Sequence, residues 1–422
     1  MTEAFELRGG VLHCEDVPLP EIAAAVGTPV YVYSSTAMRG HARALRDGLS
    51  RLSDPLIAYA VKANPNAAVI ATLGGEGLGA DIVSGGELER ALAAGIPADR
   101  ILFSGVGKTR DEMAQALSAG ICQFNLESGA EAELLSQVAT SLGQEARAGF
   151  RVNPGVEPGT HAKISTGAAE SKFGIQAADA KAEYAKAAAL PGIKIQGIAV
   201  HIGSQLTSLE PFEQAFATVG RLIAELRTAG HEITLADLGG GLGVRYDPQA
   251  AAPPTVAEYA TMVERLTRGW DVRLVFEPGR FLVANAGVLL TQVIRVKPGA
   301  THPFVIVDAA MNDLMRPTLY DAWHAIEAVR PSGNRHTANV VGPVCETGDT
   351  FALAREMDAV GEGDLVVFRS AGAYAATMAS TYNSRPLTPE VLVDGDKWAI
   401  VRPRIDVARL IDWDVMPDWL KR

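Results

Sequence analysis

The chain is 422 residues long, with 48% hydrophobic residues and a formal net charge of −11. That length favours two domains, and that apolar fraction supports a large core. The acidic balance, with no cluster of Lys and Arg, excludes a nucleic-acid-binding surface, and no apolar run is long enough to span a bilayer.

The start, Met1-Thr2-Glu3-Ala4-Phe5-Glu6, has neither the basic nor the apolar region of a signal peptide, so a cytoplasmic location is expected. Cys14, Cys122 and Cys345 are scattered and match no metal spacing, so no metal is expected. Up to about Val32 the chain reads as short strands and turns, with Leu7, Val11 and Leu12 alternating around Gly9-Gly10. Thr28-Pro29-Val30-Tyr31-Val32-Tyr33 is a further β-like run, followed by a helical pattern through Ala37, Leu45 and Leu49.

From Leu56 the text becomes rhythmic: an apolar strand, a short loop of Gly, Ser or Asn, then an Ala-rich helix. Strands are predicted over 56–61, 80–83, 101–104, 121–125, 148–152, 195–201, 235–238 and 273–276. Helices over 86–94, 128–141, 211–229 and 256–266 separate them. Strands alternating with helices in this way argue for an α/β fold with a closed parallel (β/α)8 barrel of the TIM type, an open doubly wound sheet being the competitor. The irregular, glycine-rich connection 153–175 is expected to fold over one face as a loop.

After Arg280 the rhythm changes to β-rich runs divided by Gly and Pro, as in Val288-Leu289-Leu290-Thr291-Gln292-Val293-Ile294-Arg295-Val296 and Asp364-Leu365-Val366-Val367-Phe368. These predict a mostly antiparallel second domain, which the N-terminal strands join. The expected division is a barrel over 34–285 and a β-rich domain over 1–33 and 286–422.

In such a barrel the active site lies at the C-terminal ends of the strands. The first strand ends in Tyr59-Ala60-Val61-Lys62-Ala63-Asn64-Pro65. A lysine there sits on a rigid element with an apolar wall behind it, which favours the neutral amine that attacks a carbonyl. Ser84-Gly85-Gly86-Glu87 follows the second strand, His201-Ile202-Gly203-Ser204-Gln205 the sixth, Gly239-Gly240-Gly241-Leu242-Gly243 the seventh and Glu277-Pro278-Gly279-Arg280 the eighth. Singly each has a plain reading: a solvated lysine, a core histidine, a tight turn needing positive φ, a turn-capping glutamate. Together they supply a carbonyl-reactive amine, a backbone nest for a phosphate and a buried carboxylate, which is what pyridoxal phosphate requires.

Segments 59–64, 201–205, 239–243 and 277–280 resemble the signatures of the group IV decarboxylases, the family with the alanine-racemase-type barrel. Further on, Met311-Asn312-Asp313-Leu314-Met315-Arg316-Pro317 with Tyr320, Gly342-Pro343-Val344-Cys345-Glu346-Thr347-Gly348-Asp349 and Ala371-Gly372-Ala373-Tyr374 resemble members of that family that act on diaminopimelate. The resemblance implies pyridoxal 5'-phosphate as cofactor, with Lys62 holding its aldehyde, His201 on the ring face and Glu277 at the ring nitrogen. It extends cofactor contacts to Ser204, Gly240, Gly241, Gly279, Arg280 and Tyr374. It also implies a homodimer in which Cys345 of one subunit donates a proton in the site of the other.

The substrate so implied, meso-diaminopimelate, bears a second amino-acid group at its far end. Arg280 and Arg316 offer forked donors for the distal carboxylate, Tyr320 a hydroxyl, and Glu346 an anion for the distal ammonium, with Tyr374 also near the substrate. Its decarboxylation gives L-lysine, the last step of lysine biosynthesis. Two alternatives stand beside it: a decarboxylase of ornithine, lysine or arginine on the same fold, and a barrel that carries the cofactor without turnover.

Overall fold

The computed structural model describes residues 4–157 and 171–421, so most of the predicted loop over 153–175 lies outside the described residues. The chain divides into two compact units: one spans Arg39–Arg245 and Ala251–Leu282, and the other takes the N-terminal residues to Met38, Tyr246–Ala250 and everything from Val283 onward.

The first unit is a closed barrel of parallel strands with helices between them. In order the strands are Leu56–Ala60, Gly79–Ile82, Ile101–Phe103, Gln123–Leu126, Ala146–Asn153, Ile193–Ala199, Leu235–Asp237 and Arg273–Phe276. Neighbours pair in parallel throughout, and the ring closes where Val275 pairs with Leu56. Each predicted strand has its counterpart, with ends moved by a few residues. Leu56, Ala58, Leu102, Cys122, Leu235 and Val275 form one buried apolar cluster.

Polar residues also enter the ring. Gln123 and Asn125, two apart on one strand, share a face, and Gln123 Nε2 donates to Asn125 Oδ1 at 3.0 Å. Gly197 makes this possible, because a Cβ there would collide with the Gln123 side chain. Helices start close to the strand ends, where caps satisfy their first N–H groups. Ser84 Oγ accepts from the Glu87 N–H and Ser128 Oγ from the Glu131 N–H, while Thr109 and Thr255 each form a full capping box.

The second unit is mostly antiparallel. Gly287–Lys297 is its long central strand, flanked by Val30–Ser34, Phe304–Val307 and Leu365–Phe368. Two pairs are parallel: Phe304–Val307 with Arg335–Val341, and Glu390–Asp394 with Val30–Ser34. The N-terminal β-run therefore does join this sheet. One expectation fails: Leu19–Val26, within the stretch read as strands and turns, is a helix. Pro20 in its first turn and Gly27 at its end delimit it, and Leu19 and Ile22 bury against the sheet core. Eight residues are too few for a 3.6-residue period to stand out. Among the described residues no helix is long and apolar enough to cross a membrane.

Candidate active site

The C-terminal ends of the barrel strands surround a cavity of about 380 Å³, and Lys62, Arg151, His201, Asp237 and Glu277 are among its lining residues. Lys62 lies one step beyond the strand, in the helical turn Val61–Ala63. That turn is pinned by the Tyr59 hydroxyl, which donates to the Asn64 carbonyl at 2.9 Å, and by Asn64 Oδ1, which accepts from the Asn66 N–H at 3.1 Å. The wall behind the lysine is not purely apolar, as the sequence suggested. Lys62 Nζ donates to Asp81 Oδ2 at 3.0 Å, and Asp81 is fully buried on the second strand. Its other oxygen, Oδ1, is buried without a hydrogen-bond partner among the described residues.

A pair of acids closes the floor. Asp237 Oδ2 accepts from Asn125 Nδ2 at 2.7 Å and Asp237 Oδ1 from the Gly239 N–H at 2.9 Å. Glu277 Oε1 accepts from the Ser104 hydroxyl at 3.2 Å, and Asn125 Nδ2 also reaches Ser104 Oγ at 3.1 Å. The two carboxyl groups hydrogen-bond to each other. Burial pushes Asp237 up to about 6, against the two donors that favour its anion. Burial, with the nearby charges of Asp237 and Asp81, raises Glu277 well above the usual carboxylate range. Glu277 thus holds the shared proton and Asp237 the charge, because Asp237 has the better donors.

His201 is held in one protonation state. The Gly240 N–H donates to its Nδ1 at 3.1 Å. Burial, with the cations of Arg151 and Lys62, holds the imidazole well below its ordinary pKa. The ring is therefore neutral, with its proton on Nε2. Arg151 donates to Glu127 Oε1 at 3.2 Å and to the His201 carbonyl at 3.0 Å, and its guanidinium lies 4.6 Å from the centre of the Phe173 ring. Arg280 Nη2 donates to Ser204 Oγ at 2.9 Å, so these two predicted residues meet.

The glycine turn needs its glycines. Gly239 and Gly241 have φ of 68° and 115°, and a Cβ on Gly240 would strike the Glu277 carbonyl oxygen. As a phosphate nest it is narrower than expected. The Gly239 and Gly240 N–H groups are already given to Asp237 and His201.

Asp81, Ser104, Asn125, Arg151 and Asp237 were not singled out from sequence. A usable signal existed: each is a polar residue in or just after a barrel strand, towards the end where the mouth lies. A further buried group is Lys108, whose Nζ donates at 2.7 Å each to the Gly105 and Asn125 carbonyls and to Glu131. It staples the Gly105–Gly107 segment of the cavity lining to the barrel wall.

The β-rich unit holds the other predicted residues. Arg316 opens the short helix Arg316–Tyr320, so it and Tyr320, four apart, share one face. Arg316 is buried, and its Nη1 lies 2.9 Å from His324 Nε2. Cys345 and Glu346 are exposed on a loop bound by Asp349, whose carboxylate accepts from the Met311 and Val344 N–H groups at 2.6 and 2.7 Å. The Cys345 N–H donates to Asn383 Oδ1 at 3.0 Å, and the Thr318 hydroxyl donates to the Gly348 carbonyl at 2.8 Å. The Arg316 helix and the Cys345 loop are thereby tied together. Tyr374 is held at a φ of 54°, a strained value for a non-glycine residue of the kind that gathers at functional sites.

The sequence model described as "Pyridoxal-dependent decarboxylase, pyridoxal binding domain" matches residues 39–284. The chain is 56% identical over 418 residues to a diaminopimelate decarboxylase of Zymomonas mobilis subsp. mobilis, covering 99% of both chains. It is similar in structure to the diaminopimelate decarboxylase of M. jannaschii in co-complex with L-lysine (TM-score 0.95, 34% identity, 99% of each chain). It also resembles the Helicobacter pylori enzyme complexed with L-lysine (TM-score 0.90, 38% identity, 93% of this chain and 98% of that one).

Proposed function

The chain belongs to the pyridoxal-dependent decarboxylases, and we propose that it removes carbon dioxide from meso-diaminopimelate to give L-lysine, the closing step of lysine biosynthesis, in the cytoplasm. One observation carries this reading. An amine (Lys62), a neutral imidazole (His201) and a protonated carboxyl (Glu277) line one cavity, in a chain matched over 99% of its length by a diaminopimelate decarboxylase.

The residues present fit pyridoxal phosphate. The buried Asp81 oxygen without a partner, the acid pair on the floor and the amine beside them suit a flat ring bearing an aldehyde and a basic nitrogen. When bound, that group supplies the electron sink for the electron pair left by the departing carboxylate. Lys62 Nζ would hold the aldehyde carbon, with Asp81 taking up the positive charge of the nitrogen. Glu277 would present its proton to the ring nitrogen and keep the resulting anion beside it. His201, uncharged, would pack on the ring face without opposing that charge. Ser204, Gly241, Gly279 and Tyr374 would take the phosphate, with Gly240 acting through His201.

The distal end of the substrate we assign to Arg280, Arg316, Tyr320 and Glu346. A substrate with the distal carboxylate offers these forked cationic donors an anion of matching geometry, which ornithine, lysine and arginine do not supply at that end. Cys345 Sγ would return a proton to the carbon that lost its carboxylate. We place this thiol in the site of the second subunit of a homodimer. The test is carbon dioxide release from meso-diaminopimelate beside ornithine, lysine and arginine. Release from meso-diaminopimelate alone is expected, and preferential release from ornithine, lysine or arginine would overturn the assignment.

A further inference from the structure

The following rests on the reading of Arg316 as a receptor for the distal carboxylate. We propose that His324, together with the ring of Tyr246, is a positioning residue that aims the Arg316 guanidinium and so selects substrates with a carboxylate at the end remote from the reacting carbon.

The hydrogen bonds allow His324 one state. Its Nδ1 lies 2.8 Å from the Arg369 carbonyl oxygen, which can only accept, so Nδ1 carries a proton. Its Nε2 lies 2.9 Å from Arg316 Nη1, which can only donate, so Nε2 offers a lone pair. The ring is therefore neutral and cannot turn over without losing both bonds. Tyr246 completes the arrangement: the Arg316 guanidinium carbon lies 4.4 Å from its ring centre, and the His324 ring meets it edge-on at 5.4 Å and 76°. A guanidinium is a rigid planar fork. One nitrogen bound to His324 and one face laid on Tyr246 define its plane and the direction of its remaining N–H groups.

His324 is itself anchored. It is 2% exposed, and its carbonyl accepts from Arg355 Nη1 at 2.7 Å, while Arg355 stacks on Trp323 at 4.4 Å. The chemistry of the orienting partner matters as much as its position. A carboxylate in place of His324 would hold the guanidinium as firmly but cancel its charge. A neutral imidazole orients it without adding a counter-charge of its own. Protonating His324 would abolish the lone pair and set cation against cation. The charged groups on the segments that touch it are Arg316, Arg355 with Asp247 near it, and Arg369 paired with Glu327 at 2.7 Å.

The experiment compares inhibition of the holoenzyme by L-lysine and by 1,5-diaminopentane, which differ only by the carboxylate. In His324→Phe the L-lysine inhibition constant and the KM for meso-diaminopimelate should rise about tenfold, the scale of one lost charge-assisted hydrogen bond. The diaminopentane constant should stay unchanged and kcat should stay within about twofold. His324→Gln restores an uncharged acceptor for the Arg316 guanidinium. It should recover L-lysine binding and bring the KM for meso-diaminopimelate back towards the wild-type value. An unchanged L-lysine constant in His324→Phe, or equal loss for both inhibitors, overturns the proposal. Should the Phe variant not fold, His324→Leu, which likewise lacks an acceptor for Arg316, takes its place with the same two overturning outcomes. Arg316→Met is the separate control: if it fails to distinguish the two inhibitors, the underlying role of Arg316 is wrong, whatever His324 does.

Discussion

The backbone N–H of Gly240 donates to Nδ1 of His201 across 3.1 Å. An amide nitrogen has no lone pair to offer, so this bond dictates where the imidazole proton resides. Burial beside Arg151 and Lys62 keeps the ring from taking a second proton. Nitrogen-15 NMR of the histidine side chains should therefore show His201 as the Nε2–H tautomer, with no titration from pH 8 down to about 6, where an ordinary histidine is half-charged. A His201 signal that moves to the imidazolium position within that range would contradict the assignment.

Glu277 and Asp237 divide one proton between them, and the division sets the ring chemistry. Replacing the acid by its amide in Glu277→Gln keeps the shape and removes the anion that would stabilise a protonated ring nitrogen. Turnover should fall by about two orders of magnitude, the scale of a lost preorganised electrostatic interaction. Asp237→Asn should act less strongly and lower the pH at which Glu277 ionises, because a neighbouring negative charge is gone. Steady-state kinetics on both variants decide this. Near-normal turnover in Glu277→Gln would mean that another group tunes the ring.

Glu87 offers a stability measurement independent of activity. Its carboxyl, capping the Val83 N–H at 2.8 Å, is pushed up to about 7, mainly by burial and further by Asp81. Between its ordinary value of 4.5 and about 7 the native state keeps a proton that the unfolded chain has released. Fewer protons on the unfolded chain mean that stability falls as pH rises through this window. Relative to Glu87→Gln, wild type should lose up to about 3 kcal/mol between pH 4.5 and 7.5. Urea denaturation of both proteins at several pH values gives the difference, which should be level above pH 7.5.

The assignment of the Cys345 loop to a partner subunit can be tested by mixing. Cys345→Ala and Lys62→Ala subunits should each be nearly inactive as homodimers. In an equal mixture under free exchange about half the dimers are mixed, each with one intact site, so roughly a quarter of wild-type activity should return. If both variants fold and exchange yet no activity returns, the loop serves its own subunit.

The alternation of apolar runs with Ala-rich helices was legible because it is a local property. A buried parallel strand needs a few consecutive apolar residues and a helix needs its 3.6-residue period, and each can be counted along the chain. The positions of Lys62, His201 and Glu277 followed from strand order alone, since a parallel barrel brings every strand's C-terminal end to one side. The helix Leu19–Val26 was missed because its pattern is too short to outweigh neighbouring strands.

Strand order could place these groups at one mouth, but not their states. Whether Glu277 keeps its proton depends on Asp237, Asp81 and Ser104, which other strands supply. Whether His201 is neutral depends on its burial beside Arg151 and Lys62, and which nitrogen bears the proton depends on a glycine N–H from the next strand's turn. The partnership of Arg316 with His324 and Tyr246 joins segments with no shared periodicity or motif. The sequence therefore determined the barrel, the β-rich unit and the residue types at the strand ends. The tertiary structure alone decided which of those residues are charged and in which direction they donate. Desolvation and Coulomb energy depend on distances through space, and separation along the chain carries no record of them.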